Sequence, residues 1–264
     1  MTMKEVCYAY RDQCKSEELW KHIKDVSDCM KHSYLHTKIS KKISWITRGV
    51  AGTGEIMELI EITGLLHDIG KSFDELQNGS ELTHFPAHDL LGASTLIRAI
   101  HNMFSDAIDG YDDLSKYIVM PPEGLKSRSK EKDIWLAMNL VVLPILFHHY
   151  AQHEYQYWSG RWAEYLSKRY TFERCGYIIG RLRDQADQYR YGLSQNLLRS
   201  VATVLSESKG VMFPVENLIF KIIQLIRNPV NIHPTKYITL AMVGHLNTCD
   251  GIVAQRNRES MQCS

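Results

Sequence analysis

The stretch 65–71 (LLHDIGK) places an imidazole beside a carboxylate at the end of an apolar approach. His67 and Asp68 supply two ligands within reach of one divalent cation. Gly70 gives the backbone freedom to turn just after this pair. Lys71, three residues after Asp68, falls on the same side of a helical turn and can direct an ammonium group at a phosphate. The alternative is a helix end with a surface Asp and Lys, so the remaining candidate ligands decide the question.

Further imidazoles and one carboxylate are placed where such a site would need them. Each lies on an expected helix or at its end: His36, His88, His148, His149 and Asp250. Because these residues are far apart in sequence, only the fold itself can assemble them. His32, one helical turn from His36, is an alternative to it, and His84 is an alternative to His88. The other histidines are expected outside the site, on the surface or in the core: His22, His101, His153, His233 and His245.

Most of the chain shows apolar residues at helical spacing, with little strand-like alternation and no repeat. The fold class is therefore predicted to be all-α, and Ser16 is predicted to cap the first helix. Residues 1–264 are expected to form one domain, with 105–133 as a flexible insertion and 150–210 as a possible helical subdomain. Aromatic and basic residues interleave after His149. They could stack unpaired bases, but packing of a helical subdomain is favoured.

Composition excludes several classes of protein. The 264 residues include 31 basic and 30 acidic side chains, so nucleic-acid binding would have to use local patches rather than a global basic field. Six cysteines without a CxxC pair suit a reducing cytosol better than a disulfide scaffold. No signal peptide is visible. The longest apolar run, 134–147, is shorter than the roughly 20 residues that span a bilayer, so a cytoplasmic location without membrane attachment is expected.

The order H…HD…H…HH…D is similar to that of the HD-domain metal-dependent phosphohydrolase superfamily. Within it, the chain most resembles the stand-alone HD nuclease subunit of type I CRISPR interference systems. The resemblance covers about residues 35–258. Its motifs are Leu35-His36, Leu66-His67-Asp68-Ile69-Gly70-Lys71, Phe85-Pro86-Ala87-His88 followed by Gly92, His148-His149, and Asp250 on a helix that ends near Arg256.

The resemblance implies a two-metal site. One metal would be held by His36, His67, Asp68 and Asp250, and the other by Asp68, His88, His148 and His149. Two divalent cations (Mn, Ni, Fe or Mg) would share a bridging hydroxide and clamp the attacking and leaving oxygens of a phosphodiester. Asp68 would bridge the metals, and Lys71 would neutralise charge on the reacting phosphate. Ala254 departs from several relatives, which carry a hydroxyl residue one turn after the last Asp.

The implied activity is hydrolysis of single-stranded DNA, or of RNA, in antiviral defence. The stretch 49–54 superficially resembles a P-loop, but Glu55 stands where its lysine is needed, so no ATP site is expected. The implied partners are therefore a separate helicase subunit and an RNA-guided surveillance complex. Two alternatives remain: an HD phosphodiesterase or nucleotidase acting on small or cyclic nucleotides, and a non-catalytic interaction subunit.

Overall fold

The structure, a computed structural model, describes residues 6–119, 125–126, 129–149, 162–207, 210–227 and 233–259. Helices dominate these ranges, which confirms the predicted all-α class. The helices are α1 (Leu19–His32), α2 (Tyr34–Ile46), α3 (Thr53–Leu66), α4 (His88–Met103), α5 (Lys116–Val119), α6 (Lys130–Ala137), α7 (Leu143–Phe147), α8 (Trp162–Leu166), α9 (Tyr177–Ala186), α10 (Gly192–Leu205), α11 (Glu216–Arg227) and α12 (His233–Glu259).

The N-terminal segment differs from the prediction, because Ser16 begins a strand rather than capping a helix. Strands β1 (Tyr8–Arg11) and β2 (Ser16–Glu18) pair as an antiparallel hairpin. The Asp12 carboxylate closes the turn by accepting the backbone N–H groups of Cys14 and Lys15, at 2.8 and 2.7 Å. The hairpin delays the start of α1 by two residues and places Glu17 in the interior, where it is 1% exposed.

Helix α3 forms the centre of the core and is contacted by α1, α2 and the segment that follows α6. Its last two turns are buried on every side, as expected for a helix surrounded by other elements. One contiguous cluster of buried apolar side chains runs through α1, α3, α4, α7, α10 and α12. The two histidine-bearing ends, after α3 and after α7, are therefore held by a continuous core.

The apolar run 134–147 is buried, as predicted, but it is not one regular helix. A π-helical turn, Met138–Val142, separates α6 from α7. Pro144 lacks the N–H that would bond to the carbonyl four residues earlier, at Leu140. The Thr63 hydroxyl on α3 donates to that carbonyl instead, at 2.7 Å. This bond connects α3 to the π-helical turn that leads into α7. His67 and His148 directly follow these two helices.

The stretch 105–133, predicted to be a flexible insertion, packs partly against the core in the part that the structure describes. Leu114, Tyr117 and Ile118 are at most 2% exposed. The backbone carbonyl of Tyr117 accepts a hydrogen bond from Asn139, and that of Ile118 accepts one from Thr235. Apolar side chains at helical spacing bury this segment, although its charged residues suggested a surface loop.

The interleaved aromatic and basic stretch lies largely outside the described residues, which resume at 162. In its described part, Tyr170 is 2% exposed and packs against Phe73 and Phe213. This ring belongs to the core, as the packing interpretation favoured. Helices α9 and α10 pack on each other, and α10 packs on α4.

The expectation of unpaired cysteines is wrong for two pairs. Cys7 is bonded to Cys175, and Cys29 is bonded to Cys249, each with its two Cα atoms 5.6 Å apart. Their sequence separations of 168 and 220 residues explain why no spacing motif revealed them. The second pair fastens α1 to α12 one residue before Asp250.

Among the described residues, no helix combines the length and the apolar character that crossing a membrane requires.

Candidate metal centre

The end of α3 delivers His67 and Asp68 to the centre of the fold. The backbone leaves the helical region at Asp68 and continues as a 3₁₀ turn, Ile69–Ser72. Gly70 in that turn lies against the first turn of α4. A Cβ atom there would stand 1.9 Å from the carbonyl oxygen of His88, so only glycine allows this approach. The glycine thus brings His88 beside Asp68.

The histidines of the site are oriented by hydrogen bonds from Nδ1. His67, His88 and His148 each bond to the backbone carbonyl three residues earlier, at 2.6–2.7 Å. His22 bonds through Nδ1 to the Glu17 carboxylate at 2.8 Å. Carbonyl and carboxylate oxygens only accept, so each Nδ1 carries the proton in the neutral ring and each Nε2 presents a lone pair. This anchoring is typical of histidines that bind a metal.

The Nε2 atoms converge on the two oxygens of Asp68. Oδ1 lies 3.2 Å from Nε2 of His88 and 3.9 Å from Nε2 of His148, and Nε2 of His149 lies 2.9 Å from that of His88. Oδ2 lies 3.3 Å from Nε2 of His22 and 3.5 Å from Nε2 of His67. One carboxylate therefore faces a separate group of imidazoles with each of its oxygens.

Asp250 completes the second of these groups. Its Oδ1 lies 3.1 Å from Nε2 of His22 and 3.7 Å from Nε2 of His67. Helix α12 supplies this residue, and its attachment to α1 through Cys29 and Cys249 holds it there. Carboxylate and imidazole donors are thus drawn together from five regions of the chain.

A cation fits these donors. Within this cluster, as far as the described residues show, four buried donor atoms lack a hydrogen-bond partner: Nε2 of His22, His67 and His148, and Oδ1 of Asp68. Lone pairs that face one another at 3–4 Å in a buried site are unfavourable unless a cation or proton lies between them. The buried group of His22, His67, Asp68, His88 and His148 can hold a metal ion.

The electrostatics favour an ionised Asp68 carboxylate and a neutral His148 imidazole, the forms that bind metals. Burial would raise the pKa of Asp68, but Lys71 and His67 hold it well below its usual value. Burial, together with His149 and His88, keeps the pKa of His148 well below its usual value. Burial would likewise lower the pKa of His22, but the nearby carboxylates raise it well above the ordinary value. A proton on His22 would therefore have to leave when a cation binds.

His36 is not brought into this cluster, which corrects the expected ligand set. Its Nε2 donates to the backbone carbonyl of Met57 at 3.0 Å and lies 3.8 Å from Glu61. Met57 precedes His67 by ten residues, roughly 15 Å along the axis of α3. The alternative His32 is exposed and bonds to the carbonyl of Asp28.

His22, which sequence reasoning placed outside the site, occupies the position expected of His36. It lies on the buried side of α1 with Leu19, Ile23 and Val26, so its pattern is that of a core residue. The available signal was Glu17 five residues earlier, a carboxylate able to orient the ring. That signal depended on the hairpin, which was not predicted.

The other sequence candidates also have defined positions. His84 is exposed on the rim of the cleft and does not join the metal-ligand groups. His101 lies against Tyr111, with the ring centres 4.4 Å apart. His245 is buried on α12, as expected of a core histidine. His153 and the side chain of His233 lie outside the described residues.

A cleft of about 410 Å³ opens on the cluster. Lys71 lies at its edge, with Nζ 2.6 Å from Oδ2 of Asp68 and 5.2 Å from the centre of the Phe85 ring. Arg258 also lines the cleft, with its guanidinium 4.2 Å from the centre of the Tyr10 ring. Two cationic groups thus border a site most of whose donor residues are buried. Ala254 also lines the cleft and adds no hydroxyl.

The outer partner of His22 is the Glu17 carboxylate, whose Oε1 also accepts from Nδ2 of Asn257 at 2.7 Å. We expect Glu17→Gln to weaken metal binding on the His22 side about 10–100-fold, because the amide keeps the shape but orients and polarises the ring less strongly. Titration of metal-depleted protein with Mn²⁺ measures this affinity. Glu18→Gln is the matched control, since that side chain contacts Tyr177 instead. Equal affinities for the two variants would contradict this role for Glu17.

Comparisons with protein-family models, with curated proteins and with solved structures find no match to this chain.

Proposed function

We propose that this protein is a metal-dependent phosphodiesterase that uses two divalent cations to hydrolyse single-stranded nucleic acid. The observation that carries the proposal is the position of Asp68. Its Oδ1 faces His88 and His148, whereas its Oδ2 faces His22 and His67. A carboxylate shared by two groups of imidazoles is an arrangement suited to two neighbouring ions. Mixed imidazole and carboxylate donors favour Mn²⁺, Fe²⁺ or Ni²⁺ over Mg²⁺.

When bound, two such cations supply Lewis-acid activation of the scissile phosphate and of the attacking water. The chain itself supplies the remaining requirements. Asp68 and Asp250 provide negative charge that holds the cations, and the Nδ1 bonds fix the imidazoles before substrate arrives. Lys71 and Arg258 border the cleft and attract the phosphates of the substrate.

Single strands are the expected substrate because the central donor residues are buried beneath the cleft. Asp68 and His148 are each 1% exposed, so a scissile phosphate has to enter the cleft to reach them. An unpaired strand can bend into it, whereas a rigid duplex presents its phosphates on a broad surface. The resemblance in sequence adds a biological setting, a nuclease subunit of a CRISPR system that receives unwound DNA from a helicase partner.

The proposal is tested by incubating purified protein with end-labelled single-stranded DNA, with and without Mn²⁺. The same oligonucleotide annealed to its complement, a matching RNA, a cyclic dinucleotide and a mononucleotide serve as the other substrates. We expect Mn²⁺-dependent cutting of the single strand and of unpaired flaps, and resistance of the duplex. Activity on the mononucleotide or the cyclic dinucleotide alone would contradict the proposal and favour the nucleotidase or phosphodiesterase alternative.

Lys71 is expected to act on the substrate rather than on the metal. Lys71→Ala should leave metal content unchanged and lower turnover by about 10–10³-fold, because a positive charge beside the reacting phosphate is lost. Lys71→Arg keeps the charge but not the compact shape of the ammonium, so it should restore part of the rate. Single-turnover cleavage and elemental analysis of the same samples measure the two effects. A wild-type rate for Lys71→Ala would remove the lysine from the catalytic machinery.

A further inference from the structure

A groove unrelated to the metal centre runs between α2 and the first half of α12. Its volume is about 340 Å³. Leu35, Ile39 and Ile43 of α2 line one side, and Tyr237, Ile238 and Leu240 of α12 line the other. Leu240 is 62% exposed and Tyr237 is 49% exposed. Large apolar side chains that border a concave surface indicate a binding site more strongly than scattered exposed leucines do.

Charge is distributed unevenly around this groove. The sequence contains no Asp or Glu between Asp28 and Glu55, and none between Glu216 and Asp250. Helix α2 and the first half of α12, which together form the groove, lie within these two acid-free segments. Lys38 and Lys42 line the groove itself. In a chain with 30 acidic residues and a net charge of +1, this surface is a local basic region with an apolar floor.

His245 contributes a polar side chain to the lining of the groove. It lines the groove and is 1% exposed, and neither ring nitrogen has a hydrogen-bond partner within the described residues. Burial, with the charge of His36, lowers the pKa of His245 to about 4, so the ring is neutral at pH 7. A neutral imidazole offers one donor and one acceptor, and an incoming polar side chain could bond to it.

We propose that this α2–α12 groove binds an amphipathic helix of a partner protein, with its apolar face in the groove and acidic side chains along its flanks. The concave apolar floor suits the side chains of a helix, which bind as regularly spaced anchors. Carboxylates on the flanks of that helix would meet Lys38 and Lys42. Both lysines lie in a segment that contains no acidic residue.

Two other ligands of basic, apolar surfaces fit less well. Two exposed rings of α2, Tyr34 and Trp45, have the ammonium groups of Lys38 and Lys42 over them, at 5.0 and 4.1 Å from the ring centres. Tyr237 is then the one Phe, Tyr or Trp ring among the described residues that line the groove, whereas a nucleic-acid strand is bound by stacking successive bases on several rings. A membrane surface contacts protruding side chains and would leave a concave floor unfilled.

The test uses a fluorescein-labelled designed helical peptide with leucines on one face and glutamates on the flanks. A peptide with lysines in place of the glutamates, phosphatidylserine vesicles and a thymidine oligonucleotide are the comparison probes. The protein variants are Leu240→Asp and the double variant Lys38→Glu/Lys42→Glu. Phe220→Asp on α11 is the matched control, since Phe220 is 51% exposed and is not part of the groove.

We expect saturable binding of the acidic peptide that weakens as salt is raised. Leu240→Asp should reduce the affinity at least about tenfold, as expected when a central apolar anchor is lost. The double lysine variant should bind the acidic peptide less well and the lysine-flanked peptide better, whereas Phe220→Asp should change the affinity less than about twofold. Unchanged melting temperature and Mn²⁺ content verify that each variant folds and keeps the metal centre.

Equal binding by wild type and Leu240→Asp, or equal affinity for the acidic and lysine-flanked peptides, would overturn the proposal. So would Leu240-dependent binding of the vesicles or the oligonucleotide without binding of the acidic peptide. None of these measurements uses nuclease activity, so their outcome is independent of the function proposed for the metal centre.

Discussion

Asp68→Asn should empty both metal positions and reduce DNA cleavage by at least about 10⁴-fold. The side chain keeps its shape, but its charge is lost, and with it the anion that each group of imidazoles faces. Losing the stabilisation from one such position typically costs about 10²–10³ in rate, and here two positions are lost together. Elemental analysis after reconstitution with Mn²⁺, followed by cleavage of single-stranded DNA, measures both effects.

Asp89→Asn is the matched control for this prediction. Asp89 is also buried, at 4% exposure, and lies at the start of α4 beside His88. Its Oδ1 accepts the backbone N–H of Leu90, and it belongs to neither group of candidate ligands. We expect Asp89→Asn to retain two cations per chain. An Asp68→Asn protein that still binds two equivalents would show that Asp68 does not bridge the positions.

His148→Ala should remove one cation and leave the other, lowering the cleavage rate by about 10²–10³-fold. The His148 Nε2 faces only Oδ1 of Asp68, whereas His22 and His67 remain on the other side. Excess Mn²⁺ should restore part of the activity by mass action. Titration of metal-depleted protein distinguishes one bound equivalent from two.

His36→Ala provides the comparison for His148→Ala. Both histidines are buried, at 3% and 1% exposure, but only His148 faces the cluster. His36→Ala should therefore keep two equivalents of metal and cleave DNA at nearly the wild-type rate, with only a lower melting temperature from the lost bond to Met57. Loss of a cation in His36→Ala would restore His36 to the ligand set and contradict the structure.

Several of the candidate ligands that the sequence predicted to meet, and that the structure brings together, lie at helix ends. His67, Asp68, His148 and His149 each follow an apolar helix that must be buried, so their approach to the centre follows from the hydrophobic pattern. Gly70 was recognised as a turn residue, but its second role, the close approach of α4, depends on a tertiary contact that no local pattern contains.

The choice between His22 and His36 could not be made from the sequence. Both lie in the interior of helical segments with apolar neighbours, and both end up buried. His22 rather than His36 reaches the cluster because α1 packs against α12 and because the β1–β2 hairpin places Glu17 beside the His22 ring. The strand register and the two cysteine pairs join residues far apart in the chain, where spacing rules carry no information.

Anomalous diffraction from crystals reconstituted with Mn²⁺ tests most directly whether Asp68 is shared by two cations. We expect two anomalous peaks per chain, one on each side of the Asp68 carboxylate. One should be bound by His22, His67 and Asp250, and the other by His88, His148 and His149. A single peak at full Mn²⁺ saturation, or two peaks that do not share Asp68 as a ligand, would contradict the sharing of Asp68.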